Sequence, residues 1–176
     1  MVRLLINVAG FYAGWVVCVL GAGRGSALAG PVAGVAVLGI HLQLSSDRAG
    51  EVRFLALVGV IGLGVDTWNA LTGLVSYREM TLAVGVCPLW ILSLWLIFGT
   101  TLRVSLRWLS GHPFLAAPLG AAAGPLSYWA GSRLGAVELG ESLAGSLGGL
   151  ALVWALALPL LVWISDALKS RGRRSS

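Results

Sequence analysis

The spacing of nineteen charged residues constrains this chain more than any other feature, because it leaves six long apolar stretches between them. Windows 4–23, 25–46, 81–102, 111–132 and 142–165 carry no charge, and 54–77 carries only Asp66. A bilayer core of ~30 Å takes about 20 helical residues at ~1.5 Å each, so every window is long enough to cross it. The pattern predicts an all-α polytopic membrane protein. Its single domain is a compact bundle of six transmembrane helices at 4–23, 27–44, 54–75, 82–102, 113–134 and 142–165, followed by a basic tail at 166–176. The strands of a membrane barrel would show segments of about ten residues alternating apolar and polar, and no such segments occur.

A net charge of +5 in a soluble chain would point to nucleic acid. Here the arginines gather at helix ends and in the tail, so they report orientation and no nucleic-acid partner is expected. With the N-terminus inside, the inner connections hold Arg3, Arg48, Arg53, Arg103, Arg107, Lys169, Arg171, Arg173 and Arg174, and the outer ones only Arg24, Arg78 and Arg133. That bias places both termini in the cytoplasm. Arg3, the first apolar run and Ala27-Leu28-Ala29 imitate a cleavable signal peptide. The run exceeds the usual 7 to 15 apolar residues of a signal core, which favours a retained first helix.

Asp66 is the anomaly. Gly59, Gly62, Asp66, Asn69 and Gly73 recur at spacings of three and four, so carboxylate, amide and glycines share one helical stripe. A lipid-facing Asp costs ~2.5 to 3.5 kcal/mol on insertion scales, so the stripe is expected to face protein. Lying beyond the midplane toward the outside, Asp66 has Arg24 and Arg133 as the outer cations on neighbouring windows. Should helix 3 end at Gly73, Asp66 lies about 10 Å deep, within near reach of an inward-pointing arginine; should it run to Tyr77, the gap of ~16 Å excludes a direct pair. Ser127 and Tyr128 on helix 5 complete the candidate ligand-binding set of Arg24, Asp66, Asn69, Ser127, Tyr128 and Arg133, although Tyr128, like Tyr77, also suits the interfacial aromatic belt.

At the inner end of helix 4, Arg103 and Arg107 lie one turn apart with Leu102, Leu106 and Leu109 on another side, a pattern suited to the headgroup region. Arg103, Arg107 and Trp108 are thus the candidate headgroup-interface residues. The mixed charges Asp47, Arg48, Glu51 and Arg53 read as a solvated loop, and His41 as an interfacial hydrogen-bonding residue. Cys18 and Cys87 read as small hydrophobes. No metal-ligand spacing occurs, and no cofactor is implied. Helices 1 and 5 each carry a face of small residues, fitted to close internal packing or to a homodimer. An inverted repeat of three helices finds only loose sequence support.

Gly21-Ala22-Gly23-Arg24-Gly25, Asp66, the run Thr100 to Leu109, and Gly124-Pro125-Leu126-Ser127-Tyr128 together resemble a family of small bacterial inner-membrane proteins catalogued as a domain of unknown function. The likeness extends over nearly the whole chain. It implies residence in the bacterial inner membrane and a lipid-linked role. Three functions are then expected in order: a lipid-handling accessory protein or small lipid-modifying enzyme with an outward-facing polar pocket around Asp66; a small-solute transporter or its substrate-binding subunit; and a scaffold for a membrane-protein partner. An outward cavity open sideways to lipid would favour the first, an enclosed central cavity the second, and a fully packed bundle the third.

Overall fold

The computed structural model describes residues 1–26, 28–77 and 87–172. Among the described residues are six α-helices, α1 at Val2–Gly23, α2 at Ala29–Gln43, α3 at Arg48–Leu71, α4 at Leu89–Leu102, α5 at Pro113–Arg133 and α6 at Leu143–Gly172. Three helices are long and apolar enough to cross a membrane: α1, α3, and α6 over Leu143–Lys169. These mark a membrane protein; α2 and α4 are shorter apolar helices. The sequence expectation of helix alone misses two short strands, β1 at Val75–Tyr77 and β2 at Val137–Leu139, which pair antiparallel.

Local chemistry sets the helix ends. Asp47 caps α3 by accepting from the Gly50 N–H at 2.9 Å, so this helix begins at Arg48 rather than 54 and draws the supposed loop charges into its first turns. Pro88, extended at φ −67° and ψ 159°, immediately precedes α4 at Leu89, and the expected start at 82 lies outside the described residues. The expected outer link at Arg78 and Glu79 lies outside the described residues, as do Ala27 of the cleavage-like triplet and tail residues Arg173 and Arg174. Pro113 stands in the first turn of α5, where a missing N–H costs nothing.

Three helices end identically. After α1, α3 and α5 come Gly25, Gly73 and Gly135 with φ of 75°, 71° and 78°. The next N–H reaches back over the cap each time: Ser26 to the Gly21 carbonyl at 2.9 Å, Leu74 to Asn69 at 3.0 Å, and Ala136 to Gly131 at 3.0 Å. These are Schellman caps, which satisfy orphan carbonyls and need a left-handed residue. Upstream of each glycine the same spacing recurs: Gly14, Cys18 and Gly21; Gly62, Asp66 and Asn69; Gly124, Tyr128 and Gly131. The repeating unit is therefore a two-helix hairpin, in place of the three-helix unit considered from sequence. In the β1–β2 ladder Ser76 faces Glu138, each three residues past its capping glycine. Pairing equivalent positions in this way is what an approximate two-fold axis between the second and third hairpins requires.

α4 is central, packed by α1, α2 and α3, while α5 packs chiefly against α6. At one end of the bundle a buried ionic cluster ties four helices together. Glu51 (α3) accepts from His41 (α2) at 3.2 Å and pairs with Arg103, at the end of α4, at 3.5 Å. Arg103 also donates to the Gly50 carbonyl at 3.2 Å and to Ser165 (α6) at 3.4 Å, with its guanidinium 4.2 Å from the Phe54 ring centre.

Replacing Gly73 or Gly135 with alanine should cost about 1 to 2 kcal/mol through backbone strain. Gly64→Ala, at a helical glycine with open space around it, should leave stability unchanged or raise it slightly. Unfolding midpoints in detergent, read for the three variants side by side, check both.

Candidate functional site

Asp66 is fully buried and accepts four hydrogen bonds. Tyr77 and Tyr128 donate their hydroxyls to Oδ1, Trp95 donates its indole N–H to Oδ2, and the Asn69 amide lies at 3.5 Å from Oδ1. Every donor is neutral. The carboxylate is thus held by groups from α3, β1, α4 and α5, and the convergence of donors on both oxygens suits an acceptor-only group.

Chain reversal supplies Tyr77. α3 stops at Leu71, Gly73 turns the backbone, and β1 runs back alongside, bringing Tyr77 to Asp66 instead of to the interfacial belt. Tyr128 arrives by repetition, since it occupies in α5 the place that Asp66 occupies in α3. The glycines one turn earlier match as well. A Cβ on Gly62 would collide with the Trp95 ring, and one on Gly124 with the Trp154 ring. Both tryptophans therefore pack directly on their hairpin's glycine, and they stack on each other at 4.9 Å with planes 5° apart. Phe98 meets this stack edge-on, at 6.3 Å from Trp95 and 5.5 Å from Trp154.

Beside the network lies a cavity of about 390 Å³. Its walls come chiefly from α1, α4, α5 and α6, with Asp66 of α3 and Val137 of β2 also against it, and the rest of its lining is mostly apolar and aromatic, Phe11, Trp15, Trp90, Trp95, Phe98 and Trp154 among it. Along α1 it runs from Val8 to Val19, about 16 Å at ~1.5 Å per residue. One end is bordered by Trp90, Tyr128 and Gly131, the other by Ser105, Leu106 and Val8. α1 and α5 meet at their capped ends, where Gly23 packs on the Leu134 carbonyl, and again where Trp15 donates to Ser127 at 3.0 Å. Toward their N-termini the rim residues Val8, Tyr12 and Ala123 are exposed, so the cavity is a slot opening on the side of the bundle.

The structure sorts the sequence candidates. It brings together Asp66, Asn69 and Tyr128, and places Ser127 in the slot wall as the acceptor of Trp15. Arg24 and Arg133 are exposed at the C-terminal ends of α1 and α5, away from the four donors that satisfy Asp66. The expectation of an arginine partner is corrected: neutral donors reach the carboxylate at less cost than drawing a cation ~10 Å into the bundle. Arg103 is also corrected. Its side chain is 6% exposed and bound to Glu51, so it is a clasp between helices and not a headgroup residue. Arg107 and Trp108 remain on the surface. Glu51, assigned to solvated loop chemistry, is buried. Sequence reasoning missed Tyr77, Trp95 and Trp154. The shared phase of Gly62–Asp66–Gly73 and Gly124–Tyr128–Gly135 was the signal that pairs Asp66 with Tyr128.

Tyr128→Phe should cost about 1 to 3 kcal/mol, the cost of leaving a buried acceptor one donor short. Asp66→Ala should cost more, because it strands Tyr77, Tyr128 and Trp95 together without an acceptor. Tyr12→Phe on the exposed rim should change nothing; chemical unfolding in mild detergent ranks the three. At the ionic cluster, Glu51→Ala should cost about 3 to 5 kcal/mol by leaving Arg103 buried without its counterion. Arg107→Ala should be silent in the same assay.

No curated protein and no solved structure matches this chain. A family model does, over residues 4–160, carrying the description "Protein of unknown function (DUF2878)". That match covers most of the chain, so the protein belongs to the DUF2878 family.

Proposed function

We propose that the protein is a lipid-handling component of the bacterial inner membrane, binding an apolar chain in the slot between α1 and α5. In this reading all six helices are embedded, both termini are cytoplasmic, and the capped ends of α1, α3 and α5 lie outward. The positive-inside distribution supports that orientation. The shorter α2 and α4 pack against longer neighbours.

The observation that carries the proposal is the slot's shape and side opening. Its volume falls within the range of about 300 to 1,000 Å³ usual for small-molecule sites, and its lining follows their pattern of apolar walls with few polar groups. Its exposed rim sits on the flank of α1, a helix apolar enough to span a bilayer. A ligand dissolved in the membrane would reach it without crossing water. An enclosed central chamber would have suited a solute transporter, and a fully packed bundle a scaffold.

Ala123 stands at the exposed rim and lines the slot, so Ala123→Trp should plug it without disturbing the Asp66 network. Native mass spectrometry of gently extracted protein should find a bound lipid-sized mass on wild type and its loss from Ala123→Trp at equal folded yield. A wild type that flies bare, or a variant that keeps the same mass, contradicts the proposal.

A further inference from the structure

The bridge from Trp15 to Ser127 divides the slot into two unlike halves. Toward the N-termini of α1 and α5 the rim residues Val8, Tyr12 and Ala123 are exposed, and the hydroxyl-bearing Tyr12, Thr101 and Ser105 stand along the lining. Beyond the bridge Val19, Trp90, Ile91, Gly131 and Val137 are all buried, and α1 closes on α5 where Gly23 meets the Leu134 carbonyl. That half is a blind end. Its polar groups, Asp66 and Tyr128, are bonded to each other. Asn69, whose Oδ1 meets no donor among the described residues, is not part of the wall.

The dimensions are those of one hydrocarbon chain. A volume of about 390 Å³ spread over ~16 Å of α1 gives a mean cross-section of about 24 Å². An extended alkyl chain advances ~1.3 Å per carbon, given C–C bonds of ~1.5 Å. A methylene fills about the ~30 Å³ of a water molecule, so a single chain has a cross-section of ~23 Å². Two chains side by side do not fit, and length and volume agree on about twelve to thirteen carbons.

Polarity sets the direction. A head group in the blind end would give up its water for a mostly apolar wall, whereas a terminal methyl gives up nothing. The opposite end is cationic: Ser105 donates to Asn7 at 2.8 Å, seating the close of α4 against the start of α1, so the exposed Arg3 and Arg107 stand at the open end. Resting on the slot reading above, we infer that the slot takes one unbranched hydrocarbon chain tail-first, its terminal methyl in the blind end beside Val19 and Val137 and its head outside, at the end of the bundle that carries Arg3 and Arg107. The bridge is then a strap over the chain, and the blind end gauges the width of its tail. Two sources present such a chain: a free single-chain acid, and one acyl chain of a phospholipid whose other chain stays in the bilayer.

The test is photolabelling of the full-length protein in phospholipid nanodiscs. The probes are dodecanoic acid with a diazirine beside its terminal methyl or beside its carboxyl group, and phosphatidylglycerol carrying either chain. Labelled residues are mapped by proteolysis and mass spectrometry. The terminal diazirine should label Val19, Ile91 and Val137, and the carboxyl-side diazirine Val8, Ser105 and Leu119. Excess dodecanoate should abolish both patterns, and an acid of equal length ending in a tert-butyl group should abolish neither. In Gly131→Leu the new Cβ has room, with Val137 at 3.7 Å, while the rest of the side chain fills the blind end. Terminal labelling of Val19 should then fall about tenfold, within the cost of overfilling a packed site.

Exchange of the two label maps, an even spread of the terminal label along the slot, or equal competition by the tert-butyl acid overturns the inference and leaves the slot reading standing. Absence of any saturable labelling in the slot overturns both. The wild-type maps decide even if Gly131→Leu folds poorly. With the tail-first map in place, stronger labelling by the free acid or by the phospholipid, at equal mole fraction, separates the two sources.

Discussion

A carboxylate cannot rest inside a membrane bundle without donors, and this protein is arranged around meeting that demand at Asp66. Burying a polar side chain without hydrogen bonds costs several kcal/mol. That cost is offset here by two phenols, an indole and an amide drawn from four separate elements. Each donor fixes something larger than itself. Tyr77 pins β1 against the bundle, Trp95 sets the rotation of α4, and Tyr128 ties the third hairpin to the second. The same contacts orient the aromatic wall of the slot, so fold and site share one origin.

Repetition makes the arrangement feasible. Each hairpin begins with a helix closed by a left-handed glycine, and eleven residues before that glycine stands another, at 14, 62 and 124. In the second and third hairpins this earlier glycine leaves room for a tryptophan to pack on the backbone, and the two rings then stack on each other. One turn on, the copies diverge into Cys18, Asp66 and Tyr128. Divergence at one position within a conserved geometry turns two equivalent places into an acceptor and its donor. The first hairpin follows the same plan but stands apart from the third below the Trp15 to Ser127 bridge, and that separation is the slot.

Much of this was legible in the chain. Charge-free windows announced helices, and the stripe from Gly59 to Asn69 announced which face of α3 is buried. Other features depend on tertiary geometry that periodicity does not carry. Tyr77 lies at a window's edge, where a belt residue is the ordinary reading, and only the reversal at Gly73 returns it to the core. Arg24 and Arg133 were favoured partners because opposite charge is the simplest answer to a buried carboxylate; neutral donors leave no comparable mark in sequence. Glu51 and Arg103 looked like surface charges because each sits among others, yet the early start of α3 and the close of α4 turn them toward each other. The hairpin repeat was present in the glycine spacing, obscured by residues of different chemistry at the matching position.

In the function proposed above, the Asp66 network props open an aromatic slot that takes a ligand from the bilayer. A high-resolution structure of the protein in discs of native lipid tests it most directly. Elongated density is expected between α1 and α5, ending beside Trp90 and Tyr128, with the four donors still on Asp66. A slot closed by inward collapse of α1, with Asp66 donors intact and no density within, would contradict it.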